Sequence, residues 1–87
     1  MSDPVELTDS EETKQAIQKV LAGDSEAFRF LVREHRLMLR SYLGSQLHHG
    51  DVMDDIAQEV FMKAFRKLDQ YDPSRNFCAW LRGIARN

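Results

Sequence analysis

The chain has 87 residues, of which 43% are hydrophobic, and a formal net charge of −2. This length fits one small domain, and the hydrophobic fraction excludes a chain that is disordered throughout. No apolar run approaches the roughly 18 residues of a membrane span, and the acidic start does not resemble a signal peptide. The single cysteine, Cys78, excludes an intramolecular disulfide and predicts a reducing compartment, the cytoplasm.

The chain is expected to begin with a flexible arm over residues 1–9, which contain Pro4 and no apolar periodicity, followed by a domain over residues 10–87. A first helix is predicted to start at Asp9 or Ser10 and to stop at Gly23. Its expected buried stripe consists of Ala16, Ile17, Val20 and Leu21.

A second, longer helix is predicted after a cap at Asp24 or Ser25, and it extends to about Leu47. Its apolar positions follow a three-four spacing and are Phe28, Leu31, Val32, His35, Leu39, Tyr42 and Leu43. We expect His35 to be a core residue rather than a metal ligand, because it lies on this stripe.

The third predicted helix, Asp51–Leu68, has an apolar stripe formed by Val52, Ile56, Val60, Phe61, Ala64, Phe65 and Leu68. Another side of the same helix is acidic and amide-bearing, with Asp54, Asp55, Gln58 and Glu59. This acidic face has two interpretations: a solvated helix start near the positive dipole end, or a docking surface for a basic partner.

The segment LDQYDPSRN has no apolar period and is predicted to be a loop, whereas FCAWLRGIARN resumes helical spacing with Trp80 as a core residue. The fold class is therefore all-α, a compact bundle of three helices plus a fourth. The chain reaches its last residue, Asn87, without a glycine, a proline or a cap that would end the helix. We therefore expect the fourth helix to be truncated.

The charges are distributed unevenly along the chain. Residues 1–61 contain six Lys and Arg against twelve Asp and Glu, whereas residues 62–87 contain six Lys and Arg against two Asp. This division predicts two partners of opposite preference, with the basic end a candidate for phosphate contact.

The aromatic and basic residues of the last segment also have two interpretations. Tyr71 and Asn76 lie in the predicted loop, where an aromatic ring stacks on unpaired bases and an amide reads base edges. Phe77 lies where loop becomes helix, which leaves core packing and base contact equally open. In the nucleic-acid interpretation, phosphates are held by Arg75, Arg82 and Arg86.

Catalytic motifs are not found in the sequence. There is no glycine-rich phosphate loop, no paired-cysteine motif, and no nucleophile with a base beside it, so we expect neither an enzyme nor a cofactor. His48 and His49 are adjacent in a turn, and with Cys78 they lack a fourth zinc ligand.

The segments DDIAQEVFMKAF and YDPSRNFCAWLRGIARN resemble conserved region two of bacterial sigma factors, in particular the extracytoplasmic-function type. The specific features are D-x-x-Q-E-V-F, the downstream D-P, and then F-x-A-W-L and I-A-R-N. The resemblance extends over residues 13–87.

The resemblance implies that the third helix binds the clamp helices of the largest subunit of core RNA polymerase. The acidic face then becomes the polymerase contact, with Asp55, Gln58 and Glu59 at the motif positions and Asp54 beside them. It also makes an anti-sigma factor a candidate partner. No membrane partner is expected.

The loop and last helix are implied to bind the promoter minus-ten element as opened non-template strand, with at least one base flipped into a pocket formed by residues 71–76. The DNA-binding residues expected on this basis are Tyr71, Arg75, Asn76, Phe77, Arg82, Arg86 and Asn87. Asn87 matches a family asparagine that reads a minus-ten base, and Arg82 and Arg86 are expected to contact the strand's backbone.

The sequence also departs from the family pattern. Asn76 replaces a glycine-serine pair found in many members, which predicts a shorter loop with a different base preference. The helix-turn-helix domain that reads the minus-thirty-five element is not in the sequence, so a longer parent protein is expected. A regulatory helical module that binds only protein is the alternative function.

Overall fold

The computed structural model describes residues 9–44 and 50–86, except for the side chains of residues 50–52. Within these ranges the chain forms four α-helices and no strands, which confirms the all-α class. Two short 3-10 turns, Ser25–Ala27 and Leu68–Gln70, precede α2 and follow α3. The helices are α1 (Glu11–Leu21), α2 (Phe28–Gly44), α3 (Gly50–Arg66) and α4 (Phe77–Arg86).

Helix α1 begins at a side-chain cap. The hydroxyl oxygen of Ser10 accepts a hydrogen bond from the Thr13 backbone N–H at 3.1 Å, which satisfies one of the unpaired donors of the first turn. The helix ends before Gly23, whose φ of +113° favours glycine. Leu21 is 49% exposed, so its predicted place in the core is wrong: the chain turns away directly after it.

Helix α2 forms one side of the core. Its buried positions match the predicted stripe, while Val32 and Tyr42 are half-buried at its edge. The imidazole of His35 is buried, and its Nδ1–H donates to the Leu31 carbonyl at 2.8 Å. The prediction that His35 is a core residue is thereby confirmed. The predicted extension to Leu47 lies outside the described residues.

Helix α3 ends two residues earlier than predicted, and three positions of its predicted stripe, Val60, Phe61 and Ala64, are buried as expected. It ends at Arg66, and Leu68 is buried from the following 3-10 turn. Two positions differ from the predicted stripe. Ala57 is buried in the core although the stripe does not include it, and Phe65 is 42% exposed although the stripe does. The cap and stripe positions predicted at Asp51 and Val52 lie outside the described side chains.

Helix α4 closes the bundle by packing on both α2 and α3. Phe77 and Leu81 are fully buried, Ile84 is nearly so, and Trp80 is half-buried against the core as predicted. No helix among the described residues is long and apolar enough to cross a membrane.

Two leucines of α2 offer a matched test of this core. Leu31 is completely buried, whereas Leu37 is 76% exposed. We expect Leu31→Ala to lower the free energy of unfolding by about 2–5 kcal/mol because it leaves a cavity. Leu37→Ala should change it by no more than about 0.5 kcal/mol. Urea denaturation measures both values, and equal losses would contradict the described packing.

Candidate functional site

The acidic face predicted on α3 is exposed: Asp54, Asp55, Gln58 and Glu59 all face solvent. Asp54 differs from the others, because its Oδ1 lies 3.0 Å from Nε of Arg40 on α2. The Nε–H does not meet hydrogen-bond geometry, so charge attraction rather than a directed hydrogen bond links the two groups. The described residues contain no ion pair to Asp55 or Glu59.

An apolar groove of about 560 Å³ lies beside the acidic face, between α2 and α3. It is lined by Phe28, Val32, Arg36, Asp54, Ala57, Gln58, Phe61, Met62, Phe65 and Arg66. Met62 is 52% exposed, and Phe65 contacts Phe28 edge-on with its ring centroid 5.1 Å away. Met62 and Phe65 therefore leave apolar surface exposed in the groove. The apolar periodicity of α3 does not indicate the groove, because it predicts a core position for Phe65.

A second cleft continues from the groove along α2 and shares Phe28, Val32, Arg36 and Phe65 with it. Its outer wall is basic and also includes the exposed Leu37. The arginines on this wall are Arg29, Arg33, Arg36 and Arg40. The combined α2–α3 surface therefore carries both charges: α2 contributes the four arginines, and α3 contributes the acidic face in its first half and Arg66 at its end.

The loop before α4 contains a turn that is stabilised by its own side chains. The carboxylate of Asp72 accepts hydrogen bonds from the Ser74 backbone N–H at 2.9 Å and from its hydroxyl at 2.8 Å. The Arg75 N–H donates to the Asp72 carbonyl at 2.9 Å. The bonds from Ser74 hold the pKa of the exposed Asp72 carboxyl below its ordinary value. The turn therefore has a defined shape.

The aromatic side chains at the two ends of this loop are buried. Tyr71 is 6% exposed and Phe77 is 0% exposed, with their ring centroids 5.7 Å apart, and Tyr71 also contacts Trp80 edge-on at 5.1 Å. The interpretation of Tyr71 and Phe77 as faces for base stacking is therefore wrong in this conformation. Both rings anchor the loop to the core, a role that no local periodicity in the loop indicates.

A residue from before α1 meets the same two loop ends. The Tyr71 hydroxyl donates to Asp9 Oδ2 at 3.1 Å and also contacts the Arg75 carbonyl. The Phe77 backbone N–H donates to the Asp9 carboxylate, at 3.0 Å to Oδ1 and 3.2 Å to Oδ2. Asp9, assigned to the flexible arm, is therefore held by the domain. The remaining arm residues, 1–8, lie outside the described part of the chain.

Asn76 acts as the cap of α4. Its Oδ1 accepts from the Ala79 backbone N–H at 3.1 Å, and its carbonyl accepts from the Trp80 N–H at 3.1 Å. The prediction that the Asn76 amide reads a base is therefore corrected in part. Its oxygen is already used as an acceptor, because the first turn of a helix has free N–H groups that need one. The side-chain NH₂ of this half-exposed residue keeps its donors.

The arginines of the basic segment differ in exposure. Arg75 and Arg86 are exposed, whereas Arg82 is half-buried with its Nη1 3.9 Å from the sulfur of Met38. Arg75 and Arg86 thus have the more accessible guanidinium groups of the three. Asn87, the predicted base-reading residue, lies outside the described residues.

The described residues contain no group of three His, Cys, Asp or Glu side chains that could hold a metal ion. His48 and His49 lie outside these residues, and Cys78 is half-buried in α4.

The buried phenol of Tyr71 predicts a pH effect on stability. Burial, together with the neighbouring Asp9 carboxylate, raises the pKa of Tyr71 well above its ordinary value of 10.0. The unfolded chain therefore loses this proton first, and the contribution of Tyr71 to stability is full below pH 10 and is lost as the pH rises through the native pKa. Between about pH 10 and pH 12, Tyr71→Phe should show a shallower fall of the unfolding free energy than the wild type, by up to about 1.4 kcal/mol per pH unit.

Denaturant titrations of both proteins over this range provide the measurement. The lysines are the same in both proteins, so their ionisation cancels in the comparison. Parallel pH profiles would show that the phenol is not held as described.

The model of the sigma-70 region 2 family matches residues 31–87. The RNA polymerase sigma-H factor of Pseudomonas aeruginosa is 32% identical over 77 residues, covering 88% of this chain and 40% of that protein. The ECF RNA polymerase sigma-E factor of Escherichia coli is 37% identical over 71 residues, which cover 82% of this chain and 37% of that protein.

The ECF RNA polymerase sigma factor SigW of Bacillus subtilis is 34% identical over 74 residues, covering 85% of this chain and 40% of its own length. The chain thus spans at most 40% of the length of these three relatives. The family match covers more than half of the chain and includes α3, the loop and α4. The chain belongs to the sigma-70 region 2 family.

Proposed function

We propose that this chain is a transcription initiation factor domain that binds core RNA polymerase and recognises and melts the promoter minus-ten element. The observation that carries this proposal is the position of the family match. Residues 31–87 contain both the acidic side of the α2–α3 surface and the basic loop–α4 segment. The relatives named above are RNA polymerase sigma factors by name.

The α2–α3 surface has the chemistry expected of the polymerase contact. Asp55, Gln58 and Glu59 are exposed, and carboxylates bind arginine side chains with defined orientation. The groove beside them offers Met62 and Phe65, residue types that are enriched at protein–protein interfaces.

The proposed partner on this surface is the clamp-helix pair of the largest polymerase subunit. Basic side chains of the partner meet the acidic rim of α3, and acidic ones meet the arginine row of α2. Asp54 has a different role from its neighbours, because its charge is already shared with Arg40 and links the two helices. An anti-sigma factor that covers this surface would compete with polymerase.

The loop and α4 are proposed to hold the opened non-template strand. Arg75 and Arg86 are the exposed cations for its phosphates, and the Asn76 NH₂ is the remaining loop donor for a base edge. Asn87 retains its proposed base-reading role. Flipping a base costs a few kcal/mol, which phosphate and pocket contacts offset. The proposed site of action is the cytoplasm.

A second candidate function is a regulatory module that binds only protein. The burial of Tyr71 and Phe77 favours it, because it removes the two aromatic faces that base stacking requires. The two functions share the α2–α3 surface and differ in the loop, so binding to single-stranded DNA distinguishes them.

Charge reversal on the acidic face tests the polymerase contact. The double variant Asp55→Lys/Glu59→Lys should bind core polymerase at least about tenfold more weakly, because like charges then oppose each other across the interface. Its thermal stability should remain close to the wild-type value, since exposed helix charges contribute less than about 1 kcal/mol. Surface plasmon resonance and thermal unfolding measure the two quantities.

The matched control is Glu12→Lys/Glu34→Lys, which changes the net charge equally at exposed positions outside the groove. It should bind polymerase as the wild type does. Equal affinities for both double variants would argue against α3 as the contact.

Salt dependence tests the DNA contact. Affinity for a single-stranded oligonucleotide should fall as salt rises, with a log–log slope of about −0.7 for each phosphate contact. Arg75→Ser/Arg86→Ser should make this slope shallower by about 1.4. Arg29→Ser/Arg33→Ser, which removes two exposed arginines of α2, serves as the control and should keep the wild-type slope.

Fluorescence anisotropy over a salt series gives the slopes. Affinity that does not depend on salt would favour the protein-only module.

A further inference from the structure

The carboxylate of Asp9 joins the two ends of the loop before α4. It accepts the Tyr71 hydroxyl at one end and the Phe77 backbone N–H at the other, across 62 and 68 residues of sequence. Apart from these ends, the loop's polar contacts are local: the Asp72–Ser74 bonds and the Arg75–Asp72 turn bond lie within the loop, and Asn76 caps the first turn of α4.

The bond to Phe77 is also favourable for α4 itself. Phe77 is the first residue of the helix, and its N–H has no partner within the helix. A carboxylate at this position satisfies that donor and interacts well with the positive end of the helix dipole. Asn76 satisfies the Ala79 N–H, so two side chains far apart in sequence share the capping of one helix.

Tyr71 transmits the same constraint to the loop. Its single hydroxyl hydrogen faces two acceptors, the Asp9 carboxylate and the Arg75 carbonyl. The Arg75 backbone is therefore connected through this phenol to Asp9, whose carboxylate also accepts from the Phe77 N–H at the start of α4. The position of the Arg75 backbone in turn sets where the exposed guanidinium of Arg75 can reach.

We propose that Asp9 is a positioning residue for the nucleic-acid loop: the segment before α1 holds residues 72–76 in the shape that binds the opened strand. Asp9 acts through Tyr71 and Phe77 and touches no DNA. This inference depends on the proposed DNA-binding function. Its consequence is that part of the strand affinity is set by a residue more than 60 positions away in sequence.

The test uses Asp9→Ala together with Ser10→Ala as a matched control. Ser10 caps α1 through the Thr13 N–H, so both variants remove a side-chain cap from neighbouring positions, but only Asp9→Ala affects the loop. We expect Asp9→Ala to weaken binding to a single-stranded oligonucleotide by about three- to tenfold, since a smaller fraction of loops is then binding-competent. Affinity for core polymerase should change less than about twofold in both variants.

Amide hydrogen exchange, followed by NMR, reports the cause directly. In Asp9→Ala the Phe77 amide should exchange at least about tenfold faster while the Thr13 amide keeps its protection, and Ser10→Ala should show the reverse. Asp9→Asn retains an acceptor for the Phe77 N–H, so it should recover most of the protection and of the strand affinity. It also tests the proposal should Asp9→Ala fail to fold.

The outcomes separate this inference from the proposed function. If Arg75→Ser/Arg86→Ser weakens strand binding but Asp9→Ala has no larger effect than Ser10→Ala, the positioning role is overturned and the DNA-binding function stands. If neither weakens strand binding, both are overturned. Faster Phe77 exchange together with weaker strand binding in Asp9→Ala alone supports the positioning role.

Discussion

The burial of Phe77 is the interaction on which the rest of the structure depends. Its ring is fully enclosed and meets His35, Tyr71 and Trp80 at centroid distances of 4.9, 5.7 and 5.7 Å. Because Phe77 is also the first residue of α4, its burial determines where the helix starts and therefore where the preceding loop must end. His35 can take part because its Nδ1–H is satisfied within α2. The loop is consequently held to a rigid core on one side and exposed on the other.

The two candidate surfaces follow from this arrangement. Helices α2 and α3 pack on one another but leave an apolar groove open at one edge, where the Phe65 ring contacts Phe28 without being enclosed. The charges around the groove are of both signs, and one pair of them, Arg40 and Asp54, is already joined. A rigid scaffold that presents a groove on one side and a pinned loop elsewhere is suited to holding two large partners in a fixed relation.

Periodicity predicted what is local. The stripes of α2 and α4, the core position of His35 and the helix stop at Gly23 all come from residues three or four apart, or from the conformational preference of one residue. Periodicity does not reveal which neighbour is missing, so it predicts core positions for Leu21 and Phe65, which no element in the described part of the chain encloses. The Asp9 contact joins residues more than 60 positions apart and leaves no local pattern.

We propose that the chain holds core polymerase with α3 and the opened strand with the loop before α4. A cryo-electron microscopy structure of the chain on core polymerase with a pre-melted promoter fragment tests both halves together. We expect Asp55, Gln58 and Glu59 at the clamp helices, and the non-template strand along residues 72–76 with Arg75 beside its phosphates. A complex in which α3 faces solvent, or in which the strand passes the chain without touching this loop, would contradict the claim.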